Sequence, residues 1–276
     1  MPSSAPKRAS VWERWSRKCS HIACPTTPLK SVFSGDGIAL AEDWFCGADC
    51  LELALRIRFA EVIRHVKPVE APRPARVPLG LMLFQRGSMN AEQFKAALEE
   101  HRASGARIGD VALQHGFVSE EQVAAALAAQ WGYPVCPMKG ALPRAPLQIP
   151  TLLMQMHQML PIQLLEDSRK LLIGFATRVD HAVIQGVEKV LGCVAAPCFI
   201  TITDYHTGLN VLIARSSEQV IYDRVCTTLE MSELVSKAVV DNAATGLRFA
   251  LCREYLWTRI ASSEKQMDLL FRMETI

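Results

Sequence analysis

A 24-residue pattern occurs twice in this chain at an offset of 29 residues, and it constrains the fold more than any other feature. The first copy runs PLGLMLFQRGSMNAEQFKAALEEH from Pro78 to His101. The second runs RIGDVALQHGFVSEEQVAAALAAQ from Arg107 to Gln130. Eight of the 24 aligned positions are identical, including Gly80/Gly109, Gly87/Gly116, Glu92/Glu121 and Leu98/Leu127. The same local path is therefore expected twice: a short helix, a glycine turn, a capped second helix and a polar residue at the end. Gly87 and Gly116 stand where the short helix must stop, a position that often needs positive φ. Ser88 or Asn90 can cap the following helix in the first copy. Ser119, followed by Glu120 and Glu121, does so in the second, where the acidic first turn suits the helix dipole. Two helical hairpins packed together for stability would explain the leucines and glycines. They would not require Arg107 at the start of one unit or Gln130 at its end.

Composition limits what surrounds this pair. The chain has 276 residues, enough for two or three small domains, and half of it is hydrophobic, so a core can be buried. A formal net charge of +2 and a pI of about 8.1 do not imply nucleic acid as a partner. The basic residues Lys7, Arg8, Arg14, Arg17 and Lys18 cluster at the start and read as a solvated tail. The early residues lack the apolar core of a signal peptide, and no run approaches the ~20 apolar residues of a membrane span. The most apolar early stretch, Leu51 to Val66, is interrupted by five charges, among them Arg56 and Glu61. A cytoplasmic protein is expected, with its nine cysteines reduced.

The fold class read from these patterns is α+β and multi-domain. Residues 1–67 form an N-terminal tail and a zinc-knuckle-like segment, with a helix from about Ala48 to Val66. Residues 68–78 hold four prolines, an extended linker. Residues 79–215 carry the helical tandem repeat followed by a small α/β subdomain: strands Leu160–Leu165, Lys170–Ala176 and Cys198–Thr203, and helices Asp180–Leu191 and Asp204–Ala214. Residues 228–276 form a small α+β unit, a helix from about Ser232 to Ala244 and strands Leu247–Cys252, Tyr255–Ile260 and Gln266–Phe271.

Repeats of the form Arg-Leu-Gly-x-x-Leu…Gly…Leu…Leu-x-x-Gln joined by five residues, here Arg102 to Ala106, resemble the MshE-type N-terminal domain of type II secretion and type IV pilus assembly ATPases. The resemblance covers about Leu79 to Ala214. Many members of that family bind cyclic di-GMP, so it implies a ligand site at Leu79, Gly80, Leu98, His101, Arg107, Ile108, Gly109, Leu127 and Gln130. In that reading each repeat holds one half of the dinucleotide. An arginine fork meets guanine and phosphate, leucines cover the base faces and glutamine adds polar contacts. The second unit keeps Arg107, Ile108, Gly109, Leu127 and Gln130. The first has Pro78 for arginine and His101 for glutamine. Losing a charged contact of this kind costs about 1.5–3 kcal/mol.

The tail from Ser232 to Met273 resembles, by order and spacing, the PAS-like subdomain that follows in these ATPases, although its Asp-x-His and Asp-Gly signatures are missing. An unrelated α+β cap fits the same residues. No G-x-x-x-x-G-K-[ST] is present, so ATP hydrolysis is not expected and the motor is read as missing. No G-x-S-x-G, H-E-x-x-H or G-x-G-x-x-G appears either, and His157, His181 and His206 have no nearby partner in sequence. The chain is not expected to be an enzyme.

Two close cysteine pairs, Cys19/Cys24 and Cys46/Cys50, have the spacing to close on one tetrahedral zinc ion. The second pair follows Trp44-Phe45 and opens a helix, an arrangement that resembles treble-clef zinc knuckles; His21 is an alternative to Cys19. The competing reading buries Cys46 and Cys50 as small hydrophobes against that helix. Cys136, Cys193, Cys198, Cys226 and Cys252 read as core. The function expected is a regulatory or adaptor protein that binds cyclic di-GMP and docks on a secretion or pilus machinery protein, or on another cytoplasmic protein. The alternative is a zinc-knuckle interaction scaffold whose repeat domain binds no nucleotide.

Overall fold

An N-terminal hairpin, β1 (Ile38–Leu40) and β2 (Asp43–Phe45), leads into α1 (Ala48–Arg64) in the computed structural model of the chain, which describes residues 18–24, 37–64, 76–138, 143, 148–214 and 218–273. The basic cluster at Lys7 to Arg17 and most of the proline-rich linker lie outside the described residues. The chain divides into two units, residues 68–217 and a second one made from both ends, 1–67 with 218–276.

In the 68–217 unit the repeats fold as α2 (Leu79–Gln85), α3 (Ala91–Ser104), α4 (Ile108–Gln114) and α5 (Glu120–Trp131). The turn glycines take φ of 72° at Gly87 and 66° at Gly116, where a Cβ would be strained. Asn90 caps α3 and Ser119 caps α5, each in a reciprocal capping box with the glutamine three residues on, Gln93 and Gln122. The two repeats thus share turn and cap chemistry as well as sequence.

The α/β part follows: α6 (Thr151–His157), β3 (Met159–Leu165), β4 (Lys170–Phe175), α7 (His181–Leu191), β5 (Val194–Phe199) and α8 (Ile202–Ile213). The sheet order is β3-β4-β5, with β3 antiparallel and β5 parallel to β4. The parallel pair needs its crossover, which α7 supplies by burying Val183, Val187 and Val190. Cys136 N–H donates to the Phe199 carbonyl and Phe199 N–H to that of Pro134, so the chain leaving α5 is tied to β5. Two details differ from the sequence reading. The third strand starts at Val194 and ends at Phe199, because Thr201 accepts from the Asp204 N–H and starts a helix where the β-branched run Ile200–Thr203 suggested a strand. Helix α6 was not read at all; it buries Leu153, Met154 and His157.

The remaining elements are β6 (Glu218–Val225), α9 (Thr228–Asp241), β7 (Gly246–Cys252), β8 (Tyr255–Ala261) and β9 (Gln266–Arg272). Strand order is β6-β9-β8-β7, with β6 parallel to β9 and the other pairs antiparallel. The sequence reading treats residues 1–67 and 228–276 as separate pieces; here they share one core. Phe45, Leu51, Leu55 and Phe59 pack with Met231, Val235 and Val239 of α9 and with Leu256, Ile260, Leu269 and Phe271 of the sheet. Phe59 meets Phe249 edge to face at 4.9 Å, and Ala41 N–H donates to the Thr245 carbonyl. The physical reason is that, among the described residues of its own short segment, only the small β1–β2 hairpin is there to cover the apolar face of α1. Strand β6, unread from sequence, also pairs before α9.

A charged cluster is buried on β8 and β9. Asp268, 1% exposed, accepts from Arg259 at 2.7 and 2.6 Å and from the Trp257 indole at 2.8 Å. Removing one member leaves the other charge buried without its partner. Asp268→Ala should destabilise this unit by about 3–5 kcal/mol in a denaturant titration, whereas Asn90→Ala should cost only about 1 kcal/mol.

Candidate functional site

The two repeats meet through their glycines. A Cβ on Gly80 would lie 2.3 Å from Ile108 Cδ1, and one on Gly109 would lie 3.1 Å from Leu79 Cδ2. Each repeat therefore places its own aliphatic residue over the glycine of the other. This pseudo-symmetric seam positions a cavity of about 540 Å³ on the second-repeat side. Of the residues implied by the resemblance, Leu79, Arg107, Gly109, Leu127 and Gln130 line it. Gly80, Leu98, His101 and Ile108 are not among its lining residues. Leu79 is the only lining residue from the first repeat.

The polar groups of the cavity are held from outside the repeats as well. Arg107 donates from Nη1 to Gln158 Oε1 at 3.3 Å, where Gln158 ends α6 in a left-handed conformation (φ 46°). The Gln130 amide donates to the Val77 carbonyl at 2.6 Å. The Arg76 guanidinium stacks 3.3 Å above the centroid of Trp131, another lining residue, so the chain entering α2 lies beside the cavity. Thr177 and Arg178, on the loop between β4 and α7, and Ile200 and Ile202 complete the wall. None of these was readable from the repeats, because they come from the α/β part. Glu120 lines the cavity but is committed to structure: its carboxylate accepts from the Thr203 N–H at 2.9 Å and the Thr203 hydroxyl at 2.8 Å, joining α5 to the first turn of α8.

The first repeat looks different at the equivalent place. Phe94 Cε2 would stand 3.2 Å from a Cβ on Gly80, and Phe94 stacks on Phe84 with centroids 5.4 Å apart. The corresponding residues of the second repeat, 29 positions on, are the smaller Val123 and Leu113, both cavity-lining. His101 Nδ1 is paired with the Ala106 carbonyl at 2.5 Å.

A second constellation lies in the unit formed by the two ends. Cys19, Cys24, Cys46 and Cys50 bring their sulfurs within 4.8 Å of one another. The Cys46–Cys50 separation is 3.4 Å, and Cys24 lies 3.6 Å from both. Ser20 anchors the first pair to β2, its N–H donating to the Trp44 carbonyl and its hydroxyl accepting from the Trp44 N–H. The Trp44 ring lies so close to Gly37 that a Cβ there would sit 2.4 Å from it. Burial pushes the Cys50 thiol well above its ordinary range, and hydrogen bonds with the other three thiols add to this. Burial also raises the Cys19 thiol, and hydrogen bonds from the Cys46 and His21 backbone N–H groups only partly offset it. Four sulfurs at these separations suit a soft, tetrahedral cation: a Zn–S bond of about 2.3 Å sets S···S edges of about 3.8 Å. The four cysteines read from spacing are therefore brought together and can hold a metal ion.

Elsewhere, buried His157 faces Asp180 across 3.8 Å, and Asp180 also caps α7. This pair comes from α6 and α7, so neither residue signals the other in sequence. Among the described residues, no helix is long and apolar enough to cross a membrane.

No family model matches the chain. The type IV pilus assembly ATPase PilB of Thermus thermophilus is 33% identical over 121 residues, 43% of this chain. The chain spans only 14% of that relative's length. Among solved structures, MshE with cdg is similar over 50% of this chain and 99% of that one, at 22% identity and a TM-score of 0.39. The N-terminal domain of XpsE is similar over 50% and 92%, at 17% identity and a TM-score of 0.38. The 121-residue match to a pilus assembly ATPase is in keeping with the resemblance carried by the repeats.

Removing the Glu120 carboxylate should weaken the link between repeats and α/β part without touching Arg107 or Gln130. Glu120→Ala is expected to cost about 1–2 kcal/mol, since both hydrogen bonds to a charged acceptor are lost at a partly solvated site. Thermal unfolding monitored by circular dichroism measures it.

Proposed function

We propose that this chain is a non-catalytic regulatory or adaptor protein of the secretion and pilus machinery that binds cyclic di-GMP in the cavity of its second repeat. The observation that carries the reading is the convergence of Arg107, Gln130, Leu127, Leu79 and Gly109 on one cavity of about 540 Å³, a volume suited to a small organic ligand. Arg107 supplies a planar cation for phosphate or the guanine Hoogsteen edge, Leu79 and Leu127 supply apolar cover, and Gln130 supplies an amide. Binding needs no nucleophile, base or Walker loop, so a receptor role uses what the residues offer. The nearest consequence of ligand binding falls on the entering chain, because Gln130 and Trp131 also hold Val77 and Arg76. A ligand that engages these two side chains competes for the segment that leads into the repeats. The partner in this reading is a cytoplasmic component of the machinery.

The cysteine cluster is assigned to a structural zinc ion held by Cys19, Cys24, Cys46 and Cys50. All four positions are filled by protein sulfur, which leaves no open position for catalysis. When bound, zinc would stabilise the thiolate forms of its ligands, including that of Cys50, which burial opposes. This chain's own residues then orient the site: Ser20 pairs with Trp44, and α1, which starts beside Cys46 and Cys50, enters the shared core.

The filled first repeat favours a second reading, a zinc-containing scaffold whose repeat domain takes no nucleotide. Calorimetric titration of zinc-replete protein with cyclic di-GMP separates the two. Micromolar binding that Arg107→Ala weakens by about tenfold or more supports the receptor; absence of heat with millimolar ligand leaves the scaffold. For the metal, elemental analysis should return about one zinc per chain, and Cys46→Ser should retain none after dialysis. Chelation should lower the melting temperature of the wild-type protein and leave that of Cys46→Ser unchanged; wild-type protein indifferent to chelator and free of zinc would remove the metal from the account.

A further inference from the structure

We infer that the cavity accepts one guanine nucleotide unit at a time, with Arg178 as the second cation on its phosphate, so that 5′-GMP competes with cyclic di-GMP on nearly equal terms. This rests on the nucleotide-binding reading of the same cavity and goes beyond it in ligand class and residue. Three observations carry it.

First, the cavity is one-sided. Its wall takes ten residues from the repeats, and nine of them belong to the second copy; only Leu79 comes from the first. Second, the equivalent place in the first repeat is packed with bulkier side chains, Phe94 stacked on Phe84. Phe94 and Ile108 crowd Gly80, with a Cβ there at 3.2 and 2.3 Å from them, whereas their counterparts Val123 and Leu79 stand 3.8 and 3.1 Å from the corresponding point on Gly109. Pro78 offers no charge and no donor, and His101 is turned to the Ala106 carbonyl. Third, the open side carries a complete set of groups for one nucleotide. Arg107 and Arg178 supply two guanidinium forks for a phosphate. Leu79 and Leu127 supply apolar faces for a base. Asp110 supplies an acceptor-only carboxylate, which suits the adjacent N1–H and amino donors of guanine and not the single amino donor beside the N1 acceptor of adenine.

The contrast with a two-sided site is quantitative. When both halves of a dinucleotide are engaged, the second contact is intramolecular and raises affinity by about 10²–10⁴ over one half alone. When one side binds, cyclic di-GMP keeps only a statistical advantage of about twofold for its two equivalent halves.

The experiment is calorimetric titration of the full zinc-replete chain with cyclic di-GMP, 5′-GMP and 5′-AMP, with wild type, Arg107→Ala and Arg178→Ala. The expected result is a GMP dissociation constant within about fivefold of that for cyclic di-GMP. AMP should bind at least about tenfold more weakly, and Arg178→Ala should weaken GMP and cyclic di-GMP by the same factor of about ten. Cyclic di-GMP binding about 100-fold tighter than GMP, with loss in Arg107→Ala, overturns the one-unit site and leaves the receptor reading standing. An unchanged affinity in Arg178→Ala overturns that residue's role. Binding of neither nucleotide to wild type overturns this inference together with the reading beneath it.

Discussion

The two repeats touch because two residues lack a side chain. Gly80 and Gly109 sit under Ile108 and Leu79, and any Cβ would force the short helices α2 and α4 apart or displace those side chains. Everything useful in the 68–217 unit is built on that close approach. It sets the seam between the hairpins, brings Leu79 across to the second repeat's side, and opens the cavity along α4 and α5. The capping boxes at Asn90 and Ser119 then fix where the longer helices begin. The positive-φ glycines at 87 and 116 fix where the shorter ones stop.

Pseudo-symmetry in the backbone does not carry through to the side chains. At the position facing each glycine the first repeat has Phe94 and the second Val123, and at the start of each unit stand Pro78 and Arg107. The result is a packed place in the first repeat and a cavity beside the second, from two scaffolds with the same turns and caps. The α/β part sharpens the difference, since Gln158, Thr177, Arg178, Ile200 and Ile202 all add to the open side.

The unit formed by the two chain ends obeys a separate constraint. Helix α1 has an apolar face of Leu51, Ala54, Leu55 and Phe59, too large for the short hairpin before it to cover. Helix α9 and the four-stranded sheet supply the missing surface, and the four cysteines close the hairpin onto the start of α1. Hydrophobic burial and the sulfur cluster thus act on opposite ends of the same short segment.

The sequence by itself determined what depends on local spacing. The repeat, its caps and turns, the fold class and most strands were legible, because each rests on residues a few positions apart or on a repeat of fixed length; the two cysteine pairs were legible as pairs, and the structure brought them together. The helix–strand boundary at Thr201 was misread because β-branched residues favour a strand locally while a cap bond to Asp204 favours a helix. Only the tertiary structure decided the rest. The α1 face and the 218–272 segment are about 160 residues apart in the chain, and no local pattern announces that they share a core. Arg178, Gln158 and Trp131 reach the cavity from three different elements, so their common role exists only once the α/β part folds against the repeats. The difference between the two repeats was written in single side chains, Phe94 against Val123, whose meaning depends on the packing of Ile108 and Leu79 over two glycines.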